Sequence, residues 1–261
     1  MNWYITERHK SVRPFAAGEE KTPPGFFARG AFAAAWDERI GKLSVKYEKM
    51  LAFVEFSIYH EKKEHTGGDD MKLLEDRIRQ EGRVLPGGII KVDGFLNHRV
   101  DPALMRALAA ELHRVFPEDI TTILTCEASG IALGEACAEE FGVPMVFAKK
   151  AKSDNIEGGL YQSQIFSYTY KKTVTLIVAK DWLSANDRVL IVDDFLANGE
   201  ALRGLVEIVN QAGAELVGIG VAVEKGFQPG GKKLREQGVK LHSLAIIESA
   251  DENGITFREE A

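Results

Sequence analysis

The stretch Val189-Leu190-Ile191-Val192-Asp193-Asp194-Phe195-Leu196-Ala197-Asn198-Gly199-Glu200-Ala201 passes from four aliphatics to paired acids and then to a turn of small residues. A continuous apolar run of this kind suits a strand buried on both faces of a parallel sheet. Leu202, Leu205, Val206, Ile208 and Val209 follow at helical spacing, so residues 201–211 read as a helix. The turn between the two lies at the carboxyl end of a strand, the edge where open α/β sheets bind their ligands. A helix amino terminus there offers unpaired N–H groups and a favourable dipole to a phosphate. Asp193 and Asp194 would repel the phosphate itself. They are better placed to accept hydrogen bonds from vicinal hydroxyls, as on a ribose.

The rest of the chain agrees with an α/β domain. Its 261 residues, 45% of them hydrophobic, suffice for one full core with a sizeable remainder. The net charge is −6, and residues 1–70 are electrically balanced, so the acidic excess lies beyond Asp70. No general nucleic-acid surface is indicated. Neither a membrane span nor a signal peptide is visible, which points to the cytoplasm. Cys126 and Cys137 stand alone, which supports neither a disulfide framework nor a zinc site, and both read as packing residues.

From Met71 onwards the pattern is regular. Residues 71–82 read as an amphipathic helix stopped by Gly82, and residues 88–98 as a short strand and turn. Asp101-Pro102 caps a helix running to Val115. Strands are expected at 120–126, 143–148, 189–192, 216–223 and 241–247, with a helix at 131–141 and a hairpin from 165–170 and 173–179. This alternation predicts one doubly wound domain with a parallel core sheet. Residues 153–164, with Gly158-Gly159 and little apolar content, read as a mobile flap.

Residues 1–70 differ: aromatics without steady period, a Pro23-Pro24-Gly25 break and a polar exit. They show no helix-turn-helix pattern. Gly67-Gly68-Asp69-Asp70-Met71 is compatible with codons that contain a ribosome-binding site before an ATG. The expectation is a translated leader over 1–70 and a functional domain over 71–261.

Three segments taken together are similar to the type I phosphoribosyltransferases. They are the Asp193 motif, Lys91-Val92-Asp93-Gly94-Phe95-Leu96-Asn97, and Glu224-Lys225-Gly226-Phe227-Gln228-Pro229-Gly230. Asn198 stands where the family's loop usually carries a Thr, which points to the xanthine-using branch. The resemblance covers 71–260. It implies the type I fold, a doubly wound parallel core sheet with a small hood and a flexible flap. Phosphoribosyl diphosphate (PRPP) is the implied sugar donor, xanthine the base, Mg2+ the ion carried on PRPP, and a homodimer the assembly.

The resemblance also implies roles. Asp193 and Asp194 are the catalytic acids that hold the ribose. Ala197, Asn198, Gly199, Glu200 and Ala201 receive the 5-phosphate, while Ser129 and Gly130, in the turn 127–130, and Lys150, in the cluster Lys149, Lys150 and Lys152, receive the diphosphate. Ile90, Asn97, Lys225 and Phe227 face xanthine, Lys225 donating to the 6-oxo group and Asn97 to the 2-oxo group. One spacing is set aside, and one rival reading stays open. Gly226 to Lys232 has the G-x-x-x-x-G-K spacing of a phosphate-binding loop, but Lys233 replaces the metal-binding hydroxyl. A PRPP- or purine-sensing regulator on the same fold, or a guanine or hypoxanthine enzyme, is the rival.

Overall fold

The computed structural model describes residues 69–85, 89–150, 159–167, 171–251 and 254–258. The expected leader up to residue 68, Lys152, residues 153–158 of the expected flap and residues 168–170 of the expected hairpin lie outside the described residues. Helix α1 (Asp69–Glu81) leads into a short antiparallel pair, β1 (Arg83–Leu85) and β2 (Ile89–Lys91). One π-helical turn, Asp93–Asn97, then precedes α2 (Pro102–Val115). The start of α2 is fixed as its sequence predicts, since Asp101 accepts from the N–H of Ala103 at 3.0 Å and of Leu104 at 3.3 Å.

The remaining elements in chain order are β3 (Thr122–Cys126), α3 (Gly130–Phe141), β4 (Met145–Ala148), β5 (Leu160–Ser167), β6 (Lys172–Ala179), β7 (Arg188–Leu196), α4 (Glu200–Ala212), β8 (Glu215–Lys225), α5 (Pro229–Glu236), β9 (Leu241–Asp251) and β10 (Gly254–Phe257). The central sheet has the order β10-β9-β8-β7-β3-β4. Its strands run parallel except β10, which returns antiparallel along β9.

Strand β7 sits inside this sheet, and its aliphatics serve both faces. Leu190 and Val192 pack with Leu108 and Leu112 of α2 and Leu133 of α3. Val189 and Ile191 pack on the other side with Leu202, Leu205 and Ile208 of α4. All four strand residues are fully buried, so the unbroken apolar run follows from having helices on both faces. Each such side chain contributes about 1.5–3 kcal/mol of hydrophobic stabilisation. Cys126 and Cys137 are buried free thiols, and burial pushes Cys126 up to about 12, so neither is a nucleophile in this environment.

Three expectations need correction. Strand β7 does not stop at Val192. Its ladder with β8 continues to the pair Leu196↔Glu224, so Asp193 and Asp194 are strand residues and the turn begins after Leu196. Residues 160–164 of the expected flap are strand, because β5 pairs with β6 from Leu160↔Ala179 to Ser167↔Lys172. The outer edge of β5 is also covered: Gln162 and Gln211 of α4 exchange hydrogen bonds at 3.1 and 2.7 Å, and Arg203 donates to the Gln164 carbonyl at 2.7 Å. Finally, α1 starts at Asp69, two residues before the expected start of the helix at Met71.

Candidate active site

The carboxyl ends of β3, β7 and β8 build the site. Asp194, only 5% exposed, is the point where three segments meet. Its Oδ2 accepts from Asn97 Nδ2 at 2.8 Å, and its Oδ1 accepts from Ser129 Oγ at 2.8 Å. Asn97 ends the π-helical turn and Ser129 precedes α3, so one carboxylate ties the small β1–β2 lobe and the 127–130 turn to the central strand. An ionised carboxylate accepts only, so the Asn97 amide must present its NH2 group here, with one of its two hydrogens left over.

Asp193 is equally buried but differently held. Its Oδ1 accepts from the Asp194 N–H at 3.0 Å. Burial first, and the adjacent charge of Asp194 second, raise its pKa well above the usual 3.8. The folded protein therefore binds this proton more tightly than the unfolded chain. That contribution to stability is present below pH 3.8 and is lost as pH rises through the raised folded value. Asp193→Asn is accordingly expected to raise Tm near neutral pH while lowering turnover. Thermal melts of the two proteins in parallel with initial rates check this, and a lower Tm for the variant would contradict it.

The turn after β7 is shaped by glycine. Gly199 caps α4 in the left-handed region, with φ +83, where other residues are strained. The first-turn residue Glu200 is held by Arg203 Nη2 at 3.2 Å, and Arg203 also pairs with Glu207. Ala197, Asn198, Gly199, Glu200 and Ala201 are partly accessible and surround the amino end of α4. The arrangement offers main-chain N–H groups to an anion.

Across the sheet edge, Gly130 begins α3 so close to its neighbours that a Cβ there would collide with Thr125 Oγ1 and stand 2.8 Å from Asp193 Oδ1. Its function in the structure is to bring the Ser129 turn against the acids. Ser129 gives α3 no side-chain cap, because its hydroxyl is engaged by Asp194. The peptide bond Glu127–Ala128 is cis. Glu127 accepts the Lys150 main-chain N–H at 2.6 Å, so the lysine is anchored through its backbone with its partly exposed side chain left to reach elsewhere.

Lys225 is the last residue of β8 rather than a loop residue. Its ammonium lies 5.9 Å from the centre of the Phe195 ring, and burial alone lowers its pKa. Phe227 is 45% exposed just beyond it. Ile90 is 7% exposed in β2 and packs into the core with Val92, Phe95 and Leu96, so it can offer a ligand only its main chain. A separate groove of about 950 Å³ between β4 and β6, lined by Met145, Phe147, Ile177 and Trp182 among others, contains none of these residues.

With this geometry in place, residues 95–253 match the family described as the phosphoribosyl transferase domain. The chain belongs to the phosphoribosyltransferase family. It is 51% identical over 190 residues to the xanthine phosphoribosyltransferase of Ruminiclostridium cellulolyticum, which covers 72% of this chain and 100% of that protein. It is 52% identical over 191 residues to the xanthine phosphoribosyltransferase of Lachnoclostridium phytofermentans, covering 72% and 98%. Among solved structures, the adenine phosphoribosyltransferase of Rhodothermus marinus superposes with a TM-score of 0.56 at 24% identity, covering 69% of this chain and 99% of that one. That of Giardia lamblia, complexed with 9-deazaadenine, gives 0.57 at 26%, covering 67% and 98%.

Several residues of this phosphoribosyltransferase's site had no sequence reading of their own. Phe195 faces Lys225, Glu127 anchors Lys150, and the buried Thr125 lies under Gly130. Phe195 lies within the Asp193 motif and Glu127 within the 127–130 turn, but neither position was given a role. Among the described residues no helix is long and apolar enough to cross a membrane.

Proposed function

We propose that this enzyme transfers the ribose 5-phosphate of PRPP to N9 of xanthine, giving xanthosine 5′-monophosphate (XMP) and diphosphate, in purine salvage in the cytoplasm. The observation that carries the reading is Asp194, whose two oxygens join Asn97 on one side to Ser129 on the other. Base, ribose and diphosphate subsites then adjoin a single carboxylate. The relatives named xanthine phosphoribosyltransferase, at about half identity, favour xanthine as the base.

In this reading catalysis is positioning and electrostatics. Asp193 and Asp194 orient the ribose hydroxyls, and the charged acid favours the positive charge that develops at C1. The 197–201 turn and the α4 amino terminus hold the 5-phosphate. The 127–130 turn and Lys150 receive the departing diphosphate. Lys225 donates to the 6-oxo group, Phe227 stacks on the ring, and the second Asn97 hydrogen donates to the 2-oxo group, with the Ile90 main chain beside it. Adenine would set its amino group against the ammonium.

Among the described residues no cluster of three or more His, Cys, Asp or Glu is arranged to hold a metal. The hard-oxygen pair Asp193 and Asp194 suits an ion already held by the oxygens of PRPP. Mg2+ so delivered would neutralise charge on the diphosphate. We expect a homodimer.

Purified protein supplied with xanthine, PRPP and Mg2+ should form XMP and diphosphate in equal amounts, followed by anion-exchange chromatography. Binding of PRPP without turnover of any purine would contradict the proposal.

A further inference from the structure

The glycines of the phosphate-loop-like spacing, Gly226 to Lys232, play no part in the reaction just described. Their surroundings give them another one. We propose that Gly230 and Gly231, seated by the buried Glu224–Arg235 pair, are positioning residues for the sugar-phosphate loop 197–199. The inference rests on the reading of that loop as the PRPP phosphate site.

Gly230 lies against the loop backbone. Its N–H donates to the Ala197 carbonyl at 3.1 Å. A Cβ on Gly230 would collide with that same oxygen and would stand 2.7 Å from the Gly199 nitrogen. Reciprocally, a Cβ on Gly199 would stand 3.1 Å from the Gly230 Cα. Each glycine occupies the space that a side chain on the other would need. The loop and the first turn of α5 are therefore in direct backbone contact, so a shift of α5 displaces the loop.

What fixes α5 is on its far side. Glu224, 2% exposed, accepts from Arg235 Nη1 and Nη2 at 2.8 and 2.7 Å and from Ser243 Oγ at 2.5 Å. These bonds tie α5 to β8 and β9 at one point. Burial opposes the charge on Glu224, but the Arg235 and Ser243 bonds outweigh it and keep the carboxyl below its usual value. Gly231 packs on this carboxylate so tightly that a Cβ there would collide with Oε1. The carboxylate is thus pressed on one side by the helix whose other side presses on the loop. A buried ion pair is weak as a source of stability, because desolvation cancels much of its attraction. Its planar bidentate geometry is well suited to holding a helix in one place. Lys225, the base-facing lysine, is the next residue after Glu224, so one anchor locates both walls of the pocket.

The test separates KM for PRPP from KM for xanthine in four variants. Gly230→Ala is expected to raise KM for PRPP by between roughly tenfold and a hundredfold, the effect of moving a positioned group by about an ångström. Its KM for xanthine should stay within about twofold, as for a loss confined to one ligand. Arg235→Lys keeps the charge and the helix but loses the fork. It should raise KM for PRPP in the same selective way with a cooperative melting curve, which keeps the test open if Gly230→Ala does not fold. Lys232→Ala, on the exposed side of α5, should change nothing. Gly199→Val strikes the loop directly and should raise KM for PRPP. If it does so while Gly230→Ala and Arg235→Lys shift only Tm, or raise both KM values equally, the loop reading stands and the positioning role is overturned. If Gly199→Val also leaves PRPP dependence unchanged, the loop reading itself falls. Loss of activity in Lys232→Ala would overturn the proposal in favour of a nucleotide phosphate loop.

Discussion

Asp194→Ala is expected to reduce kcat/KM for PRPP by between roughly two and four orders of magnitude. A hydrogen bond to a charged group is worth about 1.5–3 kcal/mol, and in the proposed reading the carboxylate accepts two from the ribose. At about 1.4 kcal/mol per decade, the loss of both gives that range. In the ligand-free site the variant leaves Asn97 and Ser129 without their shared acceptor. Both are partly accessible, so water can replace the carboxylate there and the fold should survive. Steady-state kinetics with each ligand varied in turn checks the assignment. KM for xanthine should rise less than KM for PRPP, because only the freed Asn97 acts on the base, and equal effects on both would contradict it.

Lys225→Ala should show the opposite preference. Loss of one charged donor to the 6-oxo group is expected to lower kcat/KM for xanthine by roughly ten- to a hundredfold, with little change for PRPP. The pH dependence has a definite sign. Burial holds the Lys225 pKa below its usual 10.5, so the donor ammonium is present below the lowered value and base use declines as pH rises through it. Stability moves the other way. The unfolded chain binds this proton more tightly than the folded protein, so the buried charge costs stability below the folded pKa, and stability recovers as pH rises from there towards 10.5. Lys225→Met, similar in length and uncharged, should therefore melt at a higher temperature near neutral pH while failing with xanthine. A lower Tm together with unchanged base use would contradict both assignments.

The parts of the fold that were legible in the sequence are those governed by local pattern. The β7 aliphatics, the Asp101-Pro102 cap and the left-handed Gly142 that ends α3 carry their signals within a few residues. Other features depend on partners far along the chain. Gln162, Ser163 and Gln164 look like loop from their polarity, yet α4 holds them as strand: Gln211 and Arg203 bond the main chain of Gln162 and Gln164, and Glu207 accepts from the Ser163 hydroxyl. The end of β7 is set by its ladder with β8, which no period in β7 itself announces. Pro229-Gly230-Gly231 begins α5, a helix with no expected counterpart, because the proline sits in the first turn and the glycines fit against the loop and Glu224.

The proposed site rests on both kinds of signal. Paired acids after an apolar strand suggested ribose, and the resemblance added Asn97, Ser129 and Lys225. The meeting of Asn97 and Ser129 on Asp194 spans 97 residues in one case and 65 in the other, and no local spacing encodes it. In the proposed reading those two hydrogen bonds set how the subsites adjoin.

In the proposed reading, Asn97 and Lys225 select a 2,6-dioxopurine for a ribose held by Asp193 and Asp194. A competition reaction containing equal concentrations of xanthine, guanine and hypoxanthine with limiting PRPP tests it most directly, with the three monophosphates resolved by chromatography. XMP should be the main product, with a relative gain of inosine monophosphate in Asn97→Ala, because hypoxanthine lacks the 2-oxo group. Guanosine or inosine monophosphate as the main product of the unaltered enzyme would contradict it.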